Sequence, residues 1–117
     1  MSTRTKSELR VIRHARVRKR VVGTTERPRL AVYKSLKHVC AQLIDDSVGK
    51  TIASASTLEK DLKANGNVQG ARLVGKAIAD RAKKLGVESV VFDRGGFRYA
   101  GCIAEVAEGA REGGLSL

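Results

Sequence analysis

The sequence predicts an α/β fold of element order βββαβα with a mixed sheet, preceded by a basic N-terminal arm or helix. Three observations predict it. Residues 29–56 hold three short segments in which apolar and other residues alternate, joined by turn-forming residues. Residues 68–113 hold two stretches of helical periodicity separated by the apolar run Val90-Val91-Phe92. The charge is lopsided: of a net +11 over 117 residues, residues 1–38 carry +10, with twelve Lys or Arg against Glu8 and Glu26.

The elements follow in chain order. Residues 1–22 form the arm. Leu9, Ile12 and Ala15 recur there at helical spacing, with Ser7 as an N-cap, so a short amphipathic helix is expected between Ser7 and Val17. With so many like charges it should be marginal alone and should order once anions neutralise it. Residues 23–28 read as a hinge, because Gly23, Thr24-Thr25 and Pro28 interrupt regular structure. Residues 29–117 form one globular domain. Its strands are Arg29–Ser35, Lys37–Ile44 and, after the turn Asp45-Asp46-Ser47-Val48-Gly49, Lys50–Ser56. The short links imply an antiparallel meander. Ser56 and Glu59 have capping-box spacing, so a brief helical turn is expected after the third strand.

The Asn65-Gly66-Asn67 loop precedes a helix over Val68–Leu85, with Ala71, Val74, Ile78, Ala82 and Leu85 on one stripe and Gly86 at its end. A fourth strand is expected over Val87–Asp93, apolar enough to be covered on both faces. The crossover helix should set it parallel to one of the first three. A last helix is expected over Tyr99–Arg111, with Ile103, Val106, Ala107 and Ala110 inward and Gly113-Gly114 as its stop.

Composition narrows the function. A polycationic front third points to a polyanion partner, and nucleic acid fits better than a solubilising tail because the block is patterned and runs into a strand. Binding flat on a membrane fits poorly, since the helix has a thin apolar face without Trp or Phe. No apolar run has the length of a membrane span, and the basic start lacks the apolar stretch of a signal peptide, so a cytoplasmic protein is expected. Trp is absent, and Tyr33, Phe92, Phe97 and Tyr99 are the only aromatics, too few for a base-stacking sheet of the single-stranded RNA type. Phosphate contact and shape recognition are the expected mode. Cys40 and Cys102 stand in apolar stretches without metal-ligand spacing and read as core residues; no cofactor or small-molecule substrate is expected.

One loop stands out. Asp93-Arg94-Gly95-Gly96-Phe97-Arg98-Tyr99 leaves a buried strand, and its glycines and flanking arginines could cradle phosphate; the alternative is a plain strand-to-helix turn. Its spacing is neither a Walker A loop nor a dinucleotide fingerprint. The order βββαβα resembles the core of ribonuclease H, whose metal-dependent members need carboxylates on the first strand and at the end of the fourth. Asp93 holds the fourth-strand position, but the first strand offers Arg29 and Lys34 instead of an acid, and Asp45 and Asp46 read as turn residues. His14 lies in the arm. His38 opens a strand, where it contacts phosphate or caps the sheet. No enzyme is expected.

Arg27-Pro28-Arg29-Leu30, Tyr33-Lys34-Ser35, the run Lys37 to Asp46, Ala53-Ser54-Ala55-Ser56-Thr57, Val90 to Gly96, and the tail Ala110 to Leu115 together resemble the bacterial large-subunit ribosomal protein L18 family. The resemblance spans essentially the whole chain and is weakest in residues 1–25. It implies a component of the translational machinery with a ribonuclease H-like fold lacking the catalytic acids. It also implies binding to 5S rRNA, attachment of that RNA to 23S rRNA, and neighbouring proteins of the central protuberance as partners. The RNA-contacting residues it implies are Arg4, Arg10, Arg13, Arg16, Arg18, Lys19 and Arg20 in the arm, and Arg27 and Arg29 beyond it. From the strands and turns come Lys34, Ser35, Lys37, His38, Ser54, Ser56 and Thr57, and from the loop Arg94, Gly95, Gly96, Phe97, Arg98 and Tyr99. Leu36, Ala100 and Cys102 depart from the family's usual residues, and the last two remove polar candidates beside the loop. A nonspecific nucleic-acid compacting protein is the alternative from another class.

Overall fold

The computed structural model describes residues 5–59 and 65–117. Seven elements follow in order: α1 (Lys6–Arg18), β1 (Arg29–Lys34), β2 (Val39–Asp45), β3 (Lys50–Ser56), α2 (Val68–Lys84), β4 (Val91–Asp93) and α3 (Gly101–Glu112). The sheet runs β3-β2-β1-β4, with β1 antiparallel to β2, β2 antiparallel to β3, and β4 parallel to β1. The expected meander and the parallel return through a crossover helix are both present.

Alternation along the strands divides the sheet into two faces. Leu30 and Val32 of β1, Val39, Ala41 and Leu43 of β2, and Ala55 of β3 point into the core. Ala71, Val74, Ile78 and Ala82 of α2 and Ile103, Val106, Ala107 and Ala110 of α3 close over them. The two helices cross so tightly that a Cβ on Gly75 or Gly109 would strike the carbonyl of Val106 or Arg72 on the facing helix. The opposite face carries Ala31, Tyr33, Cys40, Gln42, Ile44, Ser54 and Ser56, and neither α2 nor α3 covers it.

Several boundaries differ from expectation. The fourth strand is three residues long, because the preceding segment pairs instead with the C-terminal tail: Ser89 bridges Ser116, and the Val90 amide donates to the Ser116 carbonyl at 2.9 Å. Val90 is fully buried, while Val91 and Phe92 are only half-buried. Leu85 lies past the end of α2 and is exposed, so the stripe ends at Ala82. Asn67 caps α2 through the Gly70 amide at 2.8 Å. α3 starts at Gly101, later than expected. After β3 the chain turns at Thr57-Leu58, and the rest of the expected helical turn lies outside the described residues. Glu59 does accept from the Ser56 amide at 2.8 Å, but it also takes a two-pronged ion pair from Arg81 of α2.

Candidate nucleic-acid interface

α1 starts at a capping box in which Thr5, not Ser7, is the cap: the Glu8 amide donates to Thr5 Oγ1 at 3.1 Å and the Thr5 amide to Glu8 at 3.4 Å. The apolar stripe does not anchor this helix. Leu9 and Ala15 are exposed, Ile12 is half-buried, and no residue of α1 is fully buried. A polar face anchors it instead, using residues three and four apart. Arg10 Nη1 donates to the Gly95 carbonyl at 3.0 Å, Arg13 Nε donates to the Gly96 carbonyl at 2.9 Å, and His14 Nε2 meets Asp93 Oδ2 at 3.0 Å.

The glycine loop is therefore a dock for α1. Gly95 and Gly96 have φ of +64° and +80°, the left-handed region that glycine adopts without strain. A Cβ at Gly96 would strike the Arg10 carbonyl and the His14 backbone. The loop's amides also turn inward: Gly95 N–H donates to Asp93 Oδ1 at 2.9 Å and Phe97 N–H to the Arg94 carbonyl at 3.1 Å. Two of the loop's amides are thus engaged internally.

Asp93 is the centre of the arrangement. Its side chain has no exposed surface, and it accepts from Gly95, from Arg29 Nη1 at 2.7 Å and from His14. Burial pushes its pKa upward, but the Gly95 amide, His14 and Arg29 outweigh this and hold it below the ordinary aspartate value. Arg29 reaches a second carboxylate, with Nε and Nη2 on Asp46 at 3.0 and 3.2 Å, and the Gly23 amide donates to Asp46 at 2.7 Å. Chiefly through the Arg29 hydrogen bonds, Asp46 is held at a pKa of about 2. Arg18 donates to the Val21 carbonyl and reaches Asp46 at 3.4 Å. Asp46 is thus more than a turn residue: it ties the end of α1, the segment before β1 and the β2–β3 turn together.

The anticipated contact residues divide by this geometry. Arg10, Arg13, Arg18 and Arg29 donate to partners within the chain. The side chains of Arg16, Lys19, Arg20, Lys34, Lys37, Arg94 and Arg98 make no hydrogen bond or ion pair among the described residues. Arg13, Arg16, Lys19, Arg20 and Arg94 line one groove together with Val17 and Val21. Lys34 and Ser35 line a second with Arg10, Arg13 and Phe97. Ser54 and Ser56 lie on the open sheet face, paired across β2–β3 with Gln42 and Cys40. Thr57 is buried, where its hydroxyl accepts from the Val39 amide at 3.0 Å and sits 3.1 Å from His38 Nδ1, so His38 packs against the strand end. Arg27 reaches the Val90 carbonyl at 3.4 Å. Tyr99 accepts from Arg111 at 3.1 Å and meets Phe92 edge-on. Arg4 lies outside the described residues.

Sequence reasoning missed Gln42, an exposed residue between Ser54 and the α1 groove. Strand alternation alone would have placed it on the serine face. It also missed the anchoring role of Arg10, Arg13 and His14, whose i, i+3, i+4 spacing was the available signal.

A family model described as ribosomal L18 of archaea, bacteria, mitochondria and chloroplast matches residues 4–117. The chain belongs to the ribosomal L18 family. Among its relatives, large ribosomal subunit protein uL18 of Dictyoglomus thermophilum is 54% identical over 118 residues, covering 97% of each chain. The uL18 of Clostridium botulinum strain Langeland is 59% identical over 113 residues, covering 96% of this chain and 95% of the relative. That of Caldanaerobacter subterraneus is 55% identical over 115 residues, with 96% and 95% covered. This L18 family member is thus a ribosomal protein, of a class whose role is structural. Among its described residues no helix is long and apolar enough to cross a membrane.

Proposed function

We propose that this chain is a structural constituent of the large ribosomal subunit that binds 5S rRNA and helps attach it to 23S rRNA, beside other proteins of the central protuberance. One observation carries the reading: cations whose side chains have no partner among the described residues line two grooves that share Arg13, beside an internal ion-pair network. A free polycation would bind any duplex. A fixed spacing of guanidinium and ammonium groups around an open sheet face selects a folded RNA by the positions of its phosphates.

In this mechanism Arg16, Lys19, Arg20 and Arg94 contact phosphates directly, with Lys34, Lys37 and the hairpin turn extending the surface, and Ser54, Ser56 and Gln42 offer neutral donors. Arg29 and Asp93, which are buried, and Asp46, which is half-buried, position these groups. Residues 1–22 serve as the arm that contacts the second RNA, and residues 29–117 form the body. The strand order and the parallel return of β4 support the ribonuclease H-like assignment, with Asp93 committed to His14 and Arg29. The protein acts in the cytoplasm, on the ribosome.

The test is binding of the full chain to 5S rRNA and to a length-matched RNA duplex, in parallel across salt. A 5S preference that survives near physiological salt is the expected result. Equal affinities that collapse together as salt rises would reduce the protein to a nonspecific polycation and overturn the reading.

A further inference from the structure

We propose that the groove between α1 and the tip of the β1–β2 hairpin receives a single unstacked nucleotide of the bound RNA, its base against Tyr33 and Leu36 and its phosphate toward Lys6 and Lys34. The proposal rests on the RNA-binding reading above and specifies what one part of that surface takes.

The groove encloses about 520 Å³, and no acidic residue lines it. Lys6 and Lys34 have no acid partner among the described residues, so two ammonium groups face the opening without internal neutralisation. The floor is aromatic: Tyr33 and Phe97 meet edge to face at 5.8 Å between centroids. The Arg10 guanidinium lies 5.5 Å from the Tyr33 centroid and 5.0 Å from that of Phe97, and is itself fixed by the Gly95 carbonyl. The rings are thus held in place before any ligand arrives. Tyr33 is nonetheless 50% exposed, and Leu36 at the hairpin tip is fully exposed. An aromatic ring and a bare leucine beside point cations make poor partners for a duplex, which presents phosphates outward and stacks its bases away. They match a nucleotide splayed from a loop or bulge, whose base has an apolar face and whose phosphate is anionic. The scarcity of aromatics argues against a stacking sheet but leaves room for one base at this site.

The chain contains no Trp, so Tyr33→Trp places a single reporter in the groove. On titration with 5S rRNA its fluorescence should be strongly quenched at saturation. Leu85→Trp, at the end of α2 outside the groove, should stay bright. Leu36→Ser, at a residue with no burial to lose, should weaken 5S binding roughly 5- to 100-fold, the effect of losing a leucine side chain's apolar contact with the base. If 5S rRNA binds but the Tyr33→Trp signal is unchanged, or if a plain duplex quenches it equally, no base enters the groove and the proposal falls while the RNA-binding reading stands. If 5S rRNA does not bind the wild-type chain at all, that reading fails and the proposal with it.

Discussion

Asp93→Asn separates a network that positions the basic surface from one that merely accompanies it. The change keeps the side chain's shape and removes its charge. Asp93 has two oxygens for three donors: the Gly95 amide at 2.9 Å, Arg29 at 2.7 Å and His14 at 3.0 Å. Asparagine offers one carbonyl oxygen and a donating NH2 group, which faces either the Gly95 amide or the Arg29 and His14 nitrogens, a donor against a donor. Removing one partner of a buried ion pair costs about 3–5 kcal/mol. Because Asn preserves at least one of these hydrogen bonds and Arg29 keeps Asp46, the low end applies, about 3 kcal/mol, measurable as a fall in urea midpoint. The RNA measurement has the opposite sign from simple charge counting. Losing an acid raises the net charge from +11 to +12, which alone strengthens attraction to phosphates. If Asp93 holds α1 on its loop, affinity for 5S rRNA should instead fall about tenfold at moderate salt, as the positioned cations of α1 scatter. An unchanged urea midpoint together with tighter RNA binding would refute the reasoning, leaving Asp93 a bystander.

Three further outcomes follow from the same geometry. Gly96→Ala puts a Cβ into the Arg10 carbonyl at a backbone φ of +80°; amides of α1 should lose protection from hydrogen exchange while α2 and α3 keep theirs, and equal protection throughout would contradict the docking role. Asp46, held at about 2 against an ordinary 3.8, and Asp93, also lowered, add stability that is fully present above pH 4. That stability should be lost as pH falls toward 2, and Asp46→Asn should flatten the loss; a wild-type urea midpoint constant from pH 5 to 2.5 would contradict it. Arg94→Ala removes an exposed cation from the groove it shares with Arg16 and Arg20; 5S affinity should drop by about 1–2 kcal/mol and the log–log salt slope should shrink by roughly 0.7–0.9. Unaltered values would leave the loop a dock for α1 with no RNA contact through Arg94.

Local pattern was enough for the elements that bury one face. β1, β2 and β3 alternate, and α2 carries Ala71, Val74, Ile78 and Ala82 at helical spacing, so core geometry follows from periodicity. β4 was less legible, because its apolar run is shared between the sheet and a tail 26 residues on, at Ser116, and nothing local divides it. The charged surface was legible only as a total. Arg10, Arg13 and Arg29 look the same in sequence as Arg16, Lys19 and Arg94, yet the first three are engaged inside the molecule and the others are open. That distinction is set by Asp93 and the Gly95-Gly96 carbonyls, whose partners on α1 lie about 80 residues away in the chain. Asp93 itself was visible as a carboxylate ending a buried strand opposite Arg29 rather than an acid, but its partner His14 lies 79 residues earlier, in the arm.

The separation between His14 and Asp93, 79 residues, also has a meaning in time. The chain is made from its N-terminus, so α1 exists before the loop it docks on. At roughly 5–20 residues per second, some 4–16 seconds pass between synthesis of the two, and β4, which must pair with β1, arrives just as late. During that interval the nascent chain exposes a concentrated positive charge that Asp93 is not yet there to hold, with Asp46 reaching only its end at Arg18. Maturation of this protein therefore returns to where it began, with the last strand and its loop capturing the first helix, and an RNA that met the helix earlier would compete with that closure.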